Sequence, residues 1–375
     1  MDDLGDQERA VLAAVARNPF SGQQEIANAV GLARSTVAAH ITQLARKGYI
    51  LGRAYVLPEA NRIACLGGAT IDRKYLTHGP LRFGTSNPVE GRRSFGGVAR
   101  NVAENLARLG VSVSLATMVG DDENGRALIR HLQHQGVDTA GVIVAAGRST
   151  GEYAALLGPD HELFLGIADM DIFDAITIAD LERLWPHLAS AAWVFADCNL
   201  PAPVLAALVA RRRGARFRLA VDPVSAPKAE RLPRELDGID LLFLNTDEAE
   251  AYFNAVHGRA AATAEAAAAA LRDAGAATVI LTQGASGLLV DSAGCRTAIP
   301  AVPATAMDVT GAGDALIAGT LYRMLSGDDH VAAARIGALL AALTTETEAT
   351  VHPQLSTHYL ADSMRRIAQM APAEI

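Results

Sequence analysis

Apolar positions recur along this chain in two rhythms. Over the first 58 residues the period is helical. Residues 7–18 (QERAVLAAVARN) and 33–47 (ARSTVAAHITQLARK) place apolar side chains three and four apart, and residues 23–30 (QQEIANAV) form a shorter segment of the same kind. A turn at 19–22 separates the first two segments, and Gly31 and Gly48 close the second and third. Residues 49–57 (YILGRAYVL) read as two short strands around a turn at Gly52. Three helices and a small hairpin predict a winged helix-turn-helix over residues 1–58, with 58–61 as a short linker.

From Arg62 the rhythm changes. Short apolar runs at 63–66, 111–118, 193–196, 217–221, 241–244 and 278–281 suit parallel strands buried on both faces, with helical segments between them. Residues 98–109 read as one such helix, closed by Gly110. This alternation predicts a doubly wound α/β sheet over 59–375, with helices on both faces. Two regions break it. Residues 73–94 and about 148–166 are richer in β and turn residues, and the second reads as a hairpin around GPD at 158–160. They predict a small sheet standing apart, as a lid would. The alanine-rich run at 260–270 reads as a surface helix.

Half of the 375 residues are apolar, enough for one large domain and a small one. A net charge of −8 gives no general attraction to nucleic acid or anionic membrane. Residues 1–60 hold six acids and six bases, which sum to zero, although the bases gather on the third helix and the wing. Two uses of the module therefore stay open. In one, the third helix enters a DNA major groove: Arg34, Ser35, Thr36 and His40 face bases or phosphates, and Arg46, Lys47 and Arg53 approach the backbone. In the other it serves dimer contacts or partner docking. A winged helix on operator DNA also implies a homodimer, since half-sites are usually paired. No apolar run approaches the length of a membrane span, and the acidic start, MDDLGDQERA, lacks a signal-peptide core. Cys65, Cys198 and Cys295 are widely spaced and odd in number, which disfavours a disulfide framework, and the ten histidines show no metal-ligand spacing. These features together read as a cytoplasmic soluble protein.

The densest chemistry lies at 308–319 (DVTGAGDALIAG), where a glycine-containing turn runs into an apolar helical segment. The free amides and positive dipole end of that helix favour an anion. Asp314 stands beside them, where a carboxylate can align a hydroxyl nucleophile. A phosphoryl-transfer site needs that pairing of donors and base. A plain helix start with a first-turn acid has the same sequence, so the motif alone does not decide.

Residues 96–120 (GGVARNVAENLARLGVSVSLATMVG) supply a second element. This stretch resembles the first signature of the PfkB/ribokinase family of sugar and nucleoside kinases, and 308–319 resembles the second. The resemblance covers about residues 62–365. No GxxxxGK followed by Ser or Thr and no GxGxxG is present, which removes the main support for a P-loop kinase or a dinucleotide oxidoreductase. The resemblance implies a ribokinase-like doubly wound sheet with a small β lid, preceded here by the winged helix-turn-helix. It implies ATP and Mg²⁺ as cofactors. It further implies Asp314 as catalytic base, with Gly311, Ala312 and Gly313 as the anion hole. Asp72, after the first strand, would take two ribose hydroxyls, Gly96 and Gly97 would admit the sugar, and Asn101 would add a hydrogen bond. Asn245 and Glu248 would arrange waters and Mg²⁺ around the triphosphate. Thr282, Gly284, Ser286 and Gly287 would support the ATP ribose and phosphates. Asp308 and the Thr310 carbonyl resemble part of a K⁺ site, but the segment expected to complete it, LTTETEAT at 343–350, departs from the ribokinase-like pattern.

Several stretches are similar to those of bacterial pseudouridine kinases: TSNP at 85–88, GVARNVAEN at 97–105, ADMD at 168–171, ADCN at 196–199 and VDPVSAPK at 221–228. They imply pseudouridine as acceptor, with Asn87 and residues 168–171 against the base. Inosine, cytidine, adenosine, uridine or a free sugar remain alternatives, as does a nucleoside-sensing regulator with a kinase-like body.

Overall fold

The computed structural model describes residues 4–17, 21–51, 59–160, 162–259 and 263–365. Its first part holds helices α1 (Asp6–Arg17), α2 (Gln23–Val30) and α3 (Arg34–Arg46). Gly31, in the left-handed region at φ 68°, ends α2. The helices close on a core of their own that includes Val11, Val15, Ile26, Val37 and Leu44, together with Tyr49 and Ile50 beyond α3. The expected turn at Gly52, most of the hairpin and Arg53 lie outside the described residues.

The remainder follows in the order β1 (Arg62–Leu66), β2 (Thr70–Thr77), β3 (Val89–Gly96), α4 (Val98–Arg108), β4 (Ser112–Gly120), α5 (Glu123–His134), β5 (Asp138–Ala145), β6 (Glu152–Leu157) and β7 (Leu163–Asp169). Then come α6 (Ile178–Ala189), β8 (Trp193–Asp197), α7 (Ala202–Arg212), β9 (Arg218–Asp222), α8 (Ala226–Ala229), β10 (Leu241–Asn245), α9 (Thr246–His257) and α10 (Ala264–Asp273). The chain closes with β11 (Thr278–Thr282), β12 (Leu288–Ser292), β13 (Cys295–Ile299), α11 (Ala312–Leu325), α12 (His330–Thr345) and α13 (Thr357–Ser363).

Nine strands form the main sheet in the order β13-β12-β11-β10-β9-β8-β1-β4-β5. The seven from β11 to β5 run parallel, and β12 and β13 add an antiparallel edge. Strand parity explains the layers, because successive side chains leave a strand on opposite faces. Ile63, Cys65, Trp193 and Phe195 pack with α4, α5, α11 and α12 on one face, while Ala64, Leu66, Val194 and Ala196 pack with α6, α7, α9 and α10 on the other. The doubly wound reading of the apolar runs holds. The strands at 138–145, 288–292 and 295–299 had not been expected; the first and last are mixed in burial, while 288–292 is almost wholly buried.

A second sheet, β3-β2-β6-β7, stands apart, with β2 and β6 parallel and both outer pairs antiparallel. It occupies 70–96 and 152–169. Every residue of β7 is exposed, Leu163, Phe164, Leu165 and Ile167 among them.

The helical module meets the kinase-like body at the N-terminal ends of β1, β8 and β9. The Glu59 amide donates to the Ser190 carbonyl (2.8 Å), and the Arg216 guanidinium lies 3.7 Å over the Tyr49 ring.

Candidate active site

At the opposite ends of these strands the chain gathers carboxylates, as an open parallel sheet tends to gather ligand-binding groups beyond its C-terminal ends. Asp197 ends β8, Asp222 ends β9, Asn245 ends β10, and the turn at Gly67 and Gly68 follows β1. Helix α11 delivers Asp314 to the same place. Asn101 of α4 donates its Nδ2 to Asp314 Oδ2 at 2.6 Å across 213 residues of sequence. This bond unites the two motifs read separately above.

Gly311 is the cap of α11 at φ 84°, and a β-carbon there would lie 2.2 Å from the Thr350 carbonyl oxygen, so only glycine fits. The Ala312 amide closes a turn onto the Val309 carbonyl (3.2 Å), and the Thr310 amide donates to Asp308 Oδ1 (2.8 Å). The space over Gly313 is open, with no atom within 4 Å of a β-carbon built there. With the Ala312 amide, expected in the anion hole, engaged in that turn, the exposed backbone at Gly313 beside the carboxylate is the part of the helix start that suits a phosphoryl group.

Asp314 is buried, and burial pushes its carboxyl up to about 7. The Asn101 hydrogen bond and the Arg100 charge oppose that rise, while Asp197 and Asp72 add to it. A base titrating there is matched to proton transfer near neutral pH. Asn101 Oδ1, also buried, has no hydrogen-bond partner among the described residues and is left to accept from a ligand.

Asp72 lies in β2, with Thr70 Oγ1 donating to Oδ1 at 3.0 Å. A β-carbon on Gly96 would come within 2.1 Å of Asp72 Oδ2, and one on Gly97, at φ 93°, within 2.5 Å of the Gly68 carbonyl oxygen. The two glycines therefore let α4, the Asp72 carboxylate and the turn after β1 approach one another. Asp72 is raised above its ordinary range by burial, partly offset by Thr70, Arg100 and Lys74.

Asn245 and Glu248 cap α9 reciprocally: Asn245 Oδ1 accepts from the Glu248 amide and Glu248 Oε2 from the Asn245 amide, both at 2.9 Å. Glu248 is buried and raised by that burial. Asp222 is raised well above the ordinary carboxylate range by burial, then by the charges of Glu248 and Asp314. Among the described residues no three His, Cys, Asp or Glu side chains converge as a metal cage. Mg²⁺ held mainly by phosphate and water, with Glu248 and Asn245 ordering those waters, fits this donor set. Thr282 ends β11, and Gly284 and Ser286 form an exposed turn beyond it. Gly287, at φ 94°, passes so close to the Ile299 carbonyl oxygen that a β-carbon would lie 2.1 Å from it.

Other expected residues are engaged elsewhere. Asn87, expected against the base, folds its own loop, bonding Arg82 N (2.8 Å), Arg82 O (2.9 Å) and Thr85 O (3.2 Å). Asp308 Oδ2 is occupied by the Lys74 ammonium. On the helical module Arg34, Ser35 and Arg46 are exposed, and Thr36 and His40 half-exposed. His40 pairs with Gln7 (3.1 Å), and Glu8 holds the Lys47 ammonium at 2.8 Å.

Sequence reading missed four charged residues. Asp197 is fully buried and accepts from the amides of Gly68, Ala99 and Asn199, each at 2.9 Å. It joins the turn after β1 to the start of α4. Arg100, equally buried, donates to Glu104 (2.6 Å), Phe95 O (2.5 Å) and Thr350 Oγ1 (3.1 Å). Lys228 bonds Asn199 Oδ1. Asp222 accepts from the Val224 amide (2.7 Å), and Val224 itself sits at φ 72°, a strained conformation for a β-branched residue. An acid directly after an apolar parallel strand, as at Asp197 and Asp222, was a readable signal.

This fold and cleft define a sugar-type kinase body, and comparison with known proteins agrees. Residues 60–357 match the model of the pfkB family carbohydrate kinases, and residues 4–50 that of a winged helix-turn-helix DNA-binding domain. The chain belongs to the pfkB family of carbohydrate kinases, phosphotransferases with an alcohol acceptor. It is 31% identical over 370 residues to an uncharacterised sugar kinase of Escherichia coli (strain K12), YeiI, covering 94% of this chain and 97% of that protein. It is 30% identical over 300 residues to the pseudouridine kinase of the same strain, covering 80% of this chain and 95% of that enzyme. A carbohydrate kinase from Agrobacterium tumefaciens superposes with a TM-score of 0.71 at 30% identity, covering 81% and 97% of the two chains. A ribokinase from Thermotoga maritima superposes at 0.73, 19% identity and 81% and 99% coverage, a likeness of fold.

Proposed function

We propose that this chain transfers the γ-phosphoryl group of ATP to the 5′-hydroxyl of a nucleoside, pseudouridine first among the candidates. The observation that carries the reading is the Asn101–Asp314 bond at the start of α11, which sets a base beside the open backbone at Gly313. The similarity to pseudouridine kinase along nearly that enzyme's whole length supports the acceptor.

In this reading Asp72 accepts from the ribose 2′ and 3′ hydroxyls, a bidentate pairing open to an ionised carboxylate. Asn101 Oδ1 accepts from a further hydroxyl while its Nδ2 holds Asp314. Asp314 takes the 5′-hydroxyl proton as that oxygen attacks phosphorus, and the bond to the ADP oxygen breaks in line. The amides of the first turn of α11 stabilise charge on the transferring group. Mg²⁺ bound with ATP supplies charge neutralisation, its waters ordered by Glu248 and Asn245. The lid sheet excludes water that would otherwise hydrolyse ATP.

We further propose that Arg34, Ser35 and Arg46 of α3 meet DNA, a reading favoured by the match of residues 4–50 and by the exposure of these side chains. The test is a panel of pseudouridine, uridine, cytidine, inosine, adenosine and ribose with ATP and Mg²⁺, following ADP release. Turnover highest on pseudouridine is expected. Turnover on none, with tight nucleoside binding, would establish a sensor in place of an enzyme.

A further inference from the structure

The loop entering α11 is where a relative of this family would be expected to hold a potassium ion, and here the residues do not suit one. A K⁺ ion requires a cage of oxygens that replaces its hydration shell. Asp308 offers neither carboxylate oxygen freely: Oδ1 accepts from the Thr310 amide (2.8 Å) and Oδ2 from the Lys74 ammonium. Three carbonyls at the start of the 343–350 segment, which would be needed to complete the cage, are turned into the chain's own bonds. Leu343 O accepts from the Glu346 amide (3.3 Å), and Thr344 O from the Thr347 amide (3.1 Å) and hydroxyl (3.1 Å). Thr345 O accepts from the amides of Met307 (2.7 Å) and Asp308 (3.2 Å).

Lys74 reaches this loop from the lid, 234 residues away in sequence. Its side chain and that of Asp308 are 31% and 24% exposed, so the pair is shielded from water on most sides. Arg92 on the neighbouring lid strand β3 pairs with Glu348, giving the lid a second cationic arm onto the 343–350 segment. An ammonium carries the single positive charge of K⁺ and brings three donors. Burial pushes the Asp308 carboxyl up, but Lys74 and Thr310 outweigh it and hold the group below its ordinary range.

We propose that the Lys74 ammonium stands in for the monovalent cation: it neutralises Asp308, fixes the turn before the anion-binding start of α11 and anchors the lid to it, so that turnover needs no potassium. Lys74 is thus a positioning residue, and the inference rests on the phosphoryl-transfer reading of that helix.

The test compares the full-length wild type, Lys74→Met and Lys74→Arg in KCl and in tetramethylammonium chloride at equal ionic strength. One readout is thermal denaturation and the other is ADP release with pseudouridine and the wider acceptor panel. Wild type and Lys74→Arg are expected to melt and turn over alike in both salts. Lys74→Met should lose on the order of 10- to 100-fold in kcat and fall in Tm alike in both salts, because the engaged carbonyls leave K⁺ no cage even with the ammonium gone. Potassium-specific activation or stabilisation of the wild type overturns the proposal, as does a Lys74→Met protein that behaves like wild type in both salts. If no acceptor turns over in either salt, the kinase reading falls and melting alone judges Lys74: a Tm loss in Lys74→Met that Lys74→Arg escapes and KCl does not reverse supports the substitution, and a Lys74→Met that melts like wild type overturns it. If Lys74→Met does not fold, the wild-type and Lys74→Arg comparison still decides.

Discussion

Replacing Asp314 by Asn should damage catalysis and strengthen the fold, in proportions set by pH. The carboxyl is carried from its ordinary 3.8 to about 7 by burial, so forming its charge in the native state costs about 4 kcal/mol, at 1.36 kcal/mol per pH unit. That figure is an upper bound, since water entry and small movements relieve part of it. Below pH 3.8 the native and unfolded chains both hold the proton and the group contributes no slope. Between 3.8 and 7 the unfolded chain releases it while the native one keeps it, so stability falls as pH rises. Above 7 the whole penalty is present. Asparagine keeps an acceptor for Asn101 Nδ2 and carries no charge. The variant should therefore match wild type near pH 4 and exceed it progressively up to pH 8, by several degrees in Tm at about 2 °C per kcal/mol. Thermal unfolding in matched buffers from pH 4.5 to 8.5 measures the difference. Turnover of the same samples should drop about 10²- to 10⁴-fold, and wild-type kcat/KM should rise through about pH 7 as the base loses its proton. A Tm difference that stays constant across this range would refute the reasoning, because it would show that Asp314 carries no unusual charge penalty.

Gly96→Ala should drive Asp72 from its place, since the new methyl would meet Oδ2 at 2.1 Å; nucleoside KM should rise about 10- to 100-fold while ATP KM stays near wild type, read from initial rates. Glu248→Gln keeps an acceptor for the Asn245 amide but loses the charge, so the Mg²⁺ concentration for half-maximal rate should climb about 10- to 100-fold in a titration at fixed ATP. Arg34→Ala with Arg46→Ala should weaken DNA binding and reduce the salt slope of log K by about 2, measured by fluorescence anisotropy between low and physiological salt, with kinase turnover unchanged.

What could be read from the chain was what is local. The alternation that sends Ile63 and Cys65 to one face and Ala64 and Leu66 to the other is written in consecutive residues, as is the glycine turn before Asp314. Edge strands were harder. β13 reads exposed at three of its five positions, which resembles a loop. The rest depends on neighbours brought together only by folding. Nothing near Lys74 in sequence points to Asp308, and Arg100 looks like a surface residue of an amphipathic helix until the carbonyl of Phe95 and the hydroxyl of Thr350 close over it. Polar side chains carry the same difficulty: Asn87 is tied within its own loop and Lys47 to Glu8 of another helix, partners that no motif announces.

The Tyr49–Arg216 stack fastens the helical module to one pole of the main sheet, with the Glu59–Ser190 bond holding the linker there, while the carboxylates gather at the other. Five-residue strands at about 3.3 Å per residue leave roughly 16 Å of stiff sheet between them, beyond the reach of any single side chain. A promoter gripped at one end would leave the mouth of the cleft clear, so substrate could enter and product depart without release from the operator. Any message between the two would have to travel as a tilt of the whole module rather than through a shared residue.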